Sequence, residues 1–241
     1  LNYFKESSRC KGRNGVVTGY PAIEDYISNN SSFLCNSWKI NNSELKRIIW
    51  APHHTVERKG TVVYSCFLEY ADFMIMMAQK YKSDIQIAFK PHPLLRSKLN
   101  KIWGKEKTDT YYRCWEEMPN TSVCDGDYVS LFQTSDAMIH DSGSFITEYL
   151  YVNKPVMRTV NDVPLDKMYN SFTLKCLKQY YLAYNKDDIE QFIQNVINGV
   201  DTLREQRSSF VQEVLMPHKL PSQSIIDDLL DSIDNQILYR N

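Results

Sequence analysis

Short apolar runs alternate along the chain with longer segments whose apolar residues recur every three or four positions. Arg47-Ile48-Ile49-Trp50-Ala51 is one such run; it is halted by Pro52 and reads as a buried strand. From Tyr64 to Tyr81 the residues Phe67, Leu68, Ala71, Met74, Ile75 and Ala78 fall at helical spacing. Ile85-Gln86-Ile87-Ala88-Phe89 is the next strand, closed by Pro91 and Pro93, and a broken helical region follows from about Leu94 to Met118. Further on come a strand at Thr121 to Cys124, a short helix at Tyr128 to Gln133 and a strand at Ala137 to His140. A helix at Phe145 to Val152 and strands at Pro155 to Arg158 and Tyr181 to Tyr184 follow. A helix begins at Asp187-Asp188, and the tail from Asp201 onward is mostly helical. Near the start, Val16 to Pro21 reads as a short strand ending in a turn. The Asn- and Ser-rich stretch from Ser28 to Ser43 is the best boundary or linker.

Strands that alternate with helices, with short and apolar central strands, predict an α/β fold. The expected form is a Rossmann-like, doubly wound parallel sheet of five or six strands with Ile48–Ala51, Ile85–Phe89 and Ala137–His140 among its central members. A length of 241 residues suits one large domain, or one domain with a small appendage.

Composition narrows the class. The chain is 43% apolar and 24% charged with a formal net charge of -1, so no overall basic field points to nucleic acid. Its six cysteines are scattered without a CxxC pair, which argues for reduced thiols and against a structural zinc site. No secretory signal or long apolar run is visible, which predicts a cytoplasmic protein. The first residue is Leu1 rather than Met, and a fragment is the expectation.

In doubly wound sheets ligands bind beyond the carboxyl ends of the strands. Three such places carry chemistry here, and four of the five histidines lie in them: Pro52-His53-His54-Thr55, Lys90-Pro91-His92-Pro93, and His140-Asp141-Ser142-Gly143-Ser144. Any one histidine is an ordinary core or surface group, but the coincidence at three strand ends favours a site. In the third turn Gly143 permits close backbone approach, and Ser142 or Ser144 can cap the following helix, whose free N–H groups can face an anion. Glu148, a turn further on, is suited to ribose hydroxyls. Lys90 offers a point charge for phosphate, and His92 a hydrogen bond or a proton near neutral pH. Only one of His53 and His54 is expected to face the cleft, because neighbours on an extended segment point opposite ways. A metal site from His53, His54, His92 and Asp141 is disfavoured, since neither HxH nor HExxH spacing occurs. A serine-hydrolase reading of Ser142 fails because Asp-Ser-Gly-Ser is not the GxSxG elbow.

Taken in order, Gly19-Tyr20-Pro21, Trp50 to Thr55, Phe89 to Pro93 and Asp136 to Pro155 resemble the CDP-glycerol glycerophosphotransferase family, over roughly Gly19 to Arg158. These enzymes build teichoic acids and related capsular polymers of bacteria. The resemblance implies a GT-B architecture of two Rossmann-like halves, this chain being the carboxyl-terminal, donor-binding half. Residues 1–43 would be the remnant of the amino-terminal domain with its linker, and residues 44–241 the nucleotide-binding domain with a helical tail. It implies a CDP-glycerol or related CDP-polyol donor and a polyol-phosphate or glycan acceptor that is lipid-linked. Peripheral association at the inner face of the cell membrane follows from that acceptor, and neither cofactor nor metal is called for. His54 and His92 become the catalytic candidates, and His53, Lys90, Asp141, Ser142, Gly143, Ser144 and Glu148 the substrate-binding ones, with the base partly in the missing half. Gly143 stands where the family often has serine, and Glu148 where it has aspartate, which admits CDP-ribitol or a nucleotide sugar as donor. The alternatives are a GT-B glycosyltransferase or epimerase-like protein, and a non-catalytic binding module.

Overall fold

The computed structural model describes residues 5, 8–13, 15–27, 38–40, 42, 44–57, 63–126 and 128–238. Most of the Ser28 to Ser43 stretch, with Cys35, lies outside them. The chain divides into two compact units, one of residues 31–214 and one of residues 1–30 with 215–241.

The larger unit holds a six-stranded, wholly parallel sheet: β1 (Lys46–Ala51), β2 (Ile85–Phe89), β3 (Thr121–Val123), β4 (Ala137–His140), β5 (Val156–Thr159) and β6 (Tyr181–Ala183). The order is β3-β2-β1-β4-β5-β6. Strand order therefore reverses between β1 and β4, the switch point at which such sheets open a crevice. The register pairs Trp50 with Phe89 on one side and with Ile139 on the other. Every residue of β2 and β4 is buried, as expected of strands covered on both faces.

The first unit helices in chain order after α1 of the smaller unit (Glu24–Ile27) are α2 (Phe67–Lys80), α3 (Leu95–Ile102) and α4 (Lys105–Glu117). The break between α3 and α4 is Gly104, whose φ of 84° lies in the region only glycine occupies freely. These helices bury an aromatic cluster. Trp50 stacks on Phe67 and Phe89 at 5.6 and 5.0 Å between ring centroids, and Phe89 stacks on Trp115 at 5.1 Å. Beneath it, the buried Asn120 amide donates to the carbonyls of Ala78 (2.9 Å) and Ile85 (3.1 Å), tying α2 to the start of β2.

Then come α5 (Val129–Thr134) and α6 (Phe145–Glu148), the latter running into a 3-10 turn over Tyr149–Val152. The helix expected at Phe145 to Val152 is thus a single α turn. Two further helices, α7 (Leu165–Met168) and α8 (Ser171–Leu177), were not anticipated. The Asn170 side chain caps α8 by accepting the Thr173 N–H at 2.9 Å. In the same way Asn185 caps α9 (Lys186–Ile197), accepting the Asp188 N–H at 3.0 Å; α10 (Arg204–Phe210) follows.

The smaller unit holds a 3-10 turn at Pro21–Ile23, α1 and α11 (Pro221–Leu238). The Glu24 carboxylate accepts the backbone N–H (2.6 Å) and hydroxyl (2.8 Å) of Ser222, placing a negative charge at the N-terminus of α11. Residues 15–20 are not a strand: Val16 and Val17 are 60% and 72% exposed, and no strand pairs with them among the described residues.

Candidate functional site

Because β2, β1 and β4 are adjacent and parallel, the three histidine-bearing turns emerge side by side. Backbone hydrogen bonds carry the ladder past the strand ends. The Lys90 N–H donates to the Trp50 carbonyl (2.8 Å), and the His92 N–H to the Pro52 carbonyl (3.0 Å). Three of the four imidazoles meet there, while that of His140 is buried against Tyr180. Ring centroids lie 4.2 Å apart for His53 and His54, 4.1 Å for His54 and His92, and 5.0 Å for His53 and His92. The expectation that His53 and His54 diverge is overturned. The chain bends after Pro52, with the Val56 N–H donating to the His54 carbonyl at 2.9 Å, so the alternation of an extended segment does not apply.

Hydrogen bonds orient these rings. The Leu94 N–H donates to His92 Nδ1 at 3.1 Å, which leaves the proton of the neutral ring on Nε2. His53 Nδ1 lies 3.0 Å from the Thr55 hydroxyl, which itself accepts the Tyr64 N–H at 2.9 Å. Burial, then the neighbouring histidines and Arg158, push the His53 pKa down to about 4. Burial and Lys98 lower that of His54, and burial and His54 lower that of His92. At neutral pH the three rings are therefore uncharged, and act as N–H donors rather than cations.

A cleft of about 300 Å³ opens beside them, lined by Lys90, His92, Tyr128, Ser142, Ser144, Phe145 and Glu148 among others. His53 and His54 are not on its wall; they reach it through His92. The Lys90 ammonium donates to the Gly126 carbonyl at 2.9 Å and lies 5.9 Å from the Tyr128 ring centroid. The Ser142 hydroxyl accepts the Ser144 N–H at 3.2 Å, so Ser142, not Ser144, caps the turn. With α6 only one turn long, little helix dipole stands behind that anion seat. The backbone does not demand glycine at 143 either: a Cβ there would meet only Tyr64 ring atoms, at 3.8 and 3.9 Å.

Asp141 is placed differently from the others. Its buried carboxylate accepts the backbone N–H groups of His53 (2.5 Å) and Cys66 (2.7 Å), which fixes the turn after β1 to the start of α2. Burial pushes its pKa up to about 6, against the pull of those two donors and of Arg158. It supports the histidine turn from inside the protein instead of lining the cleft.

Arg158, a strand residue, underlies the site. It is 1% exposed at the end of β5, paired in register with His140. Its Nη1 donates to the Ser142 carbonyl (3.2 Å) and its Nη2 to the Tyr169 hydroxyl (2.6 Å), with the Tyr169 ring centroid 5.0 Å from the guanidinium carbon. Neither spacing nor composition marks such a residue; an arginine inside an apolar strand after the switch point is the one available signal.

The comparisons with known proteins concern the family and the fold. The model of the family described as CDP-Glycerol:Poly(glycerophosphate) glycerophosphotransferase matches residues 1–214. The chain belongs to that family. Among solved structures, this glycerophosphotransferase-family chain is similar to the wall teichoic acid polymerase TagF. The match has 18% identity and a TM-score of 0.53 over 82% of this chain and 46% of TagF. The S. aureus MnaA–UDP complex matches with 18% identity and a TM-score of 0.50 over 80% of this chain and 48% of that one. A Listeria monocytogenes protein assigned as a UDP-N-acetylglucosamine 2-epimerase gives 15% identity and a TM-score of 0.51 over 92% and 53%. At these identities the likeness concerns the fold, which is the carboxyl-terminal half of a GT-B architecture. The family chain spans about half the length of the structures it matches. Comparison with curated proteins returns no match.

Proposed function

We propose that this chain is the donor-binding half of a CDP-glycerol glycerophosphotransferase-like enzyme, which transfers a polyol phosphate to a cell-surface polymer. In the proposed reaction an acceptor hydroxyl attacks the β-phosphorus of the donor, a P–O bond forms to the acceptor, and CMP leaves. The observation that carries this reading is the convergence of His92, Lys90 and Ser142 on one cleft at the switch point, in a chain of this family. Lys90 supplies positive charge to the diphosphate, and His92 a neutral N–H donor whose direction is set before the ligand arrives. Ser142 and Ser144 add hydroxyl contacts, and Glu148 meets the ribose. With His54 one ring removed from the cleft, its part is to orient His92. Burial lowers the pKa values of His54 and His92 and keeps the rings uncharged, so that His92 meets the diphosphate as a hydrogen-bond donor, with the base partly in the other half. No helix among the described residues is long and apolar enough to cross a membrane; contact with a lipid-linked acceptor would be peripheral.

Titration calorimetry with CMP, CDP-glycerol and UMP tests the reading. The chain should bind CMP and CDP-glycerol without transferring glycerophosphate. Ser142→Ala should cost about 1–2 kcal/mol of binding, and His92→Ala at least as much, because a hydrogen bond to an ionised oxygen is the stronger kind. Unchanged affinity in both variants would reject the site, and preference for UMP would favour a nucleotide-sugar donor.

A further inference from the structure

The absence of HxH or HExxH spacing argues against a metal site in the sequence, but spacing cannot report a site assembled from two turns. The fold brings His53 and His54 from the turn after β1 onto His92 from the turn after β2, and places one ligand nitrogen from each within 4.8 Å of the others. We infer that His53, His54 and His92 form a three-imidazole site for a divalent transition metal, zinc or cobalt, with its remaining coordination positions open towards the cleft.

Imidazole is the ligand such ions prefer, and three of them leave the incomplete coordination typical of a site that also accepts water or a substrate oxygen. Metal–nitrogen bonds of about 2.0–2.1 Å require the three nitrogens to close in from their present spacing. The rings are half-buried side chains on turns, so rotation of each ring supplies that movement. Their backbone is already in place. The His92 N–H is bonded to the Pro52 carbonyl, and the His53 N–H to Asp141. With its proton on Nδ1, His53 can donate to the Thr55 hydroxyl, which leaves Nε2 free for a metal and gives that ring the outer hydrogen bond that metal-bound histidines usually make. His54 Nδ1 is buried with no hydrogen-bond partner. Two contacts oppose the site: the Leu94 N–H on His92 Nδ1, which a metal at His92 must displace, and the longer contact of the Thr55 N–H on His53 Nδ1 at 3.4 Å. Asp141 takes no part, because both its oxygens are held by backbone N–H groups.

A metal on His92 takes the place of its N–H contact to the diphosphate; the test therefore uses the whole chain, stripped with a chelator and free of nucleotide, so that its outcome is separate from the glycerophosphotransferase reading. Cobalt is titrated while its visible absorption is followed, and zinc is then added. The expected result is one cobalt per chain with an intense band that zinc abolishes. His54→Ala and His92→Ala, each shown by circular dichroism to be folded, should weaken cobalt binding at least about tenfold. His218→Ala, which alters the exposed histidine of the smaller unit, should bind like the parent. No band in the parent chain, or a band of undiminished affinity in either ligand variant, overturns the inference.

Discussion

Arg158→Lys is the most informative single substitution, because it keeps the charge and removes only the geometry. The guanidinium holds the Ser142 carbonyl and the Tyr169 hydroxyl at once, through two different nitrogens. A lysine ammonium on the same buried strand end can reach one of them. Loss of a hydrogen bond from a charged donor costs about 1.5–3 kcal/mol, and the acceptor left behind adds up to about 1 kcal/mol where water cannot replace the donor. The expected destabilisation is therefore about 1.5–4 kcal/mol, read as a lower midpoint in urea with an unchanged m-value. Since Ser142 lines the cleft, releasing its carbonyl should also weaken CMP binding several-fold in the fraction that stays folded. Arg96→Lys is the control. Its pair with Asp109 spans 2.9 Å, but the two side chains are 50% and 32% exposed, so the change should stay within about 0.5 kcal/mol. A cost at Arg158 no larger than at Arg96 would refute the claim that the guanidinium anchors the turn after β4.

Three further outcomes can be checked. His140 is fully buried and its pKa is pushed down to about 3, chiefly by burial and then by Arg158, so below pH 6.5 the unfolded chain takes up a proton that the folded chain refuses. Stability should fall as pH drops from about 6.5 towards 3, and His140→Leu should remove about 2 kcal/mol of the loss between pH 7 and pH 5, measured as urea midpoints; an equal loss in the variant would rule this out. Gly143→Ala should be neutral or stabilising by up to about 1 kcal/mol in the same assay, since its Cβ meets only Tyr64 at ordinary contact distance. Gly19→Ala should instead destabilise the smaller unit by about 1–3 kcal/mol, seen as faster proteolysis of the amino-terminal segment. There φ is 89° and a Cβ would lie 2.9 Å from Pro221 Cγ.

The fold was legible where burial and chemistry coincide in sequence. Ile85–Phe89 and Ala137–His140 are mainly apolar runs, broken only by Gln86 and His140, with proline or turn residues after them, and both are buried strands. Val16-Val17 misled because β-branched residues mark strands only when a sheet is there to receive them. Helix α8 was missed although Asn170 three residues before Thr173 is a cap signal, because its seven residues are too few for a period to show. The three histidine-bearing turns could be named in advance, but not their mutual contact: adjacency follows from strand order, which pairing decides. Arg158 and the inward role of Asp141 lay beyond reach for a related reason. Their partners, Ser142 and Tyr169 for one, His53 and Cys66 for the other, are neighbours only through the tertiary fold.

The two ladder bonds beyond the strand ends, from Lys90 to Trp50 and from His92 to Pro52, have a thermodynamic consequence. Together with Pro52, Pro91 and Pro93 they freeze the main chain around the cleft during folding, before the proposed nucleotide would bind. Ligand capture then orders side chains but hardly any backbone. Calorimetry should accordingly show a small heat-capacity change, without the large signature of a loop that folds around its ligand.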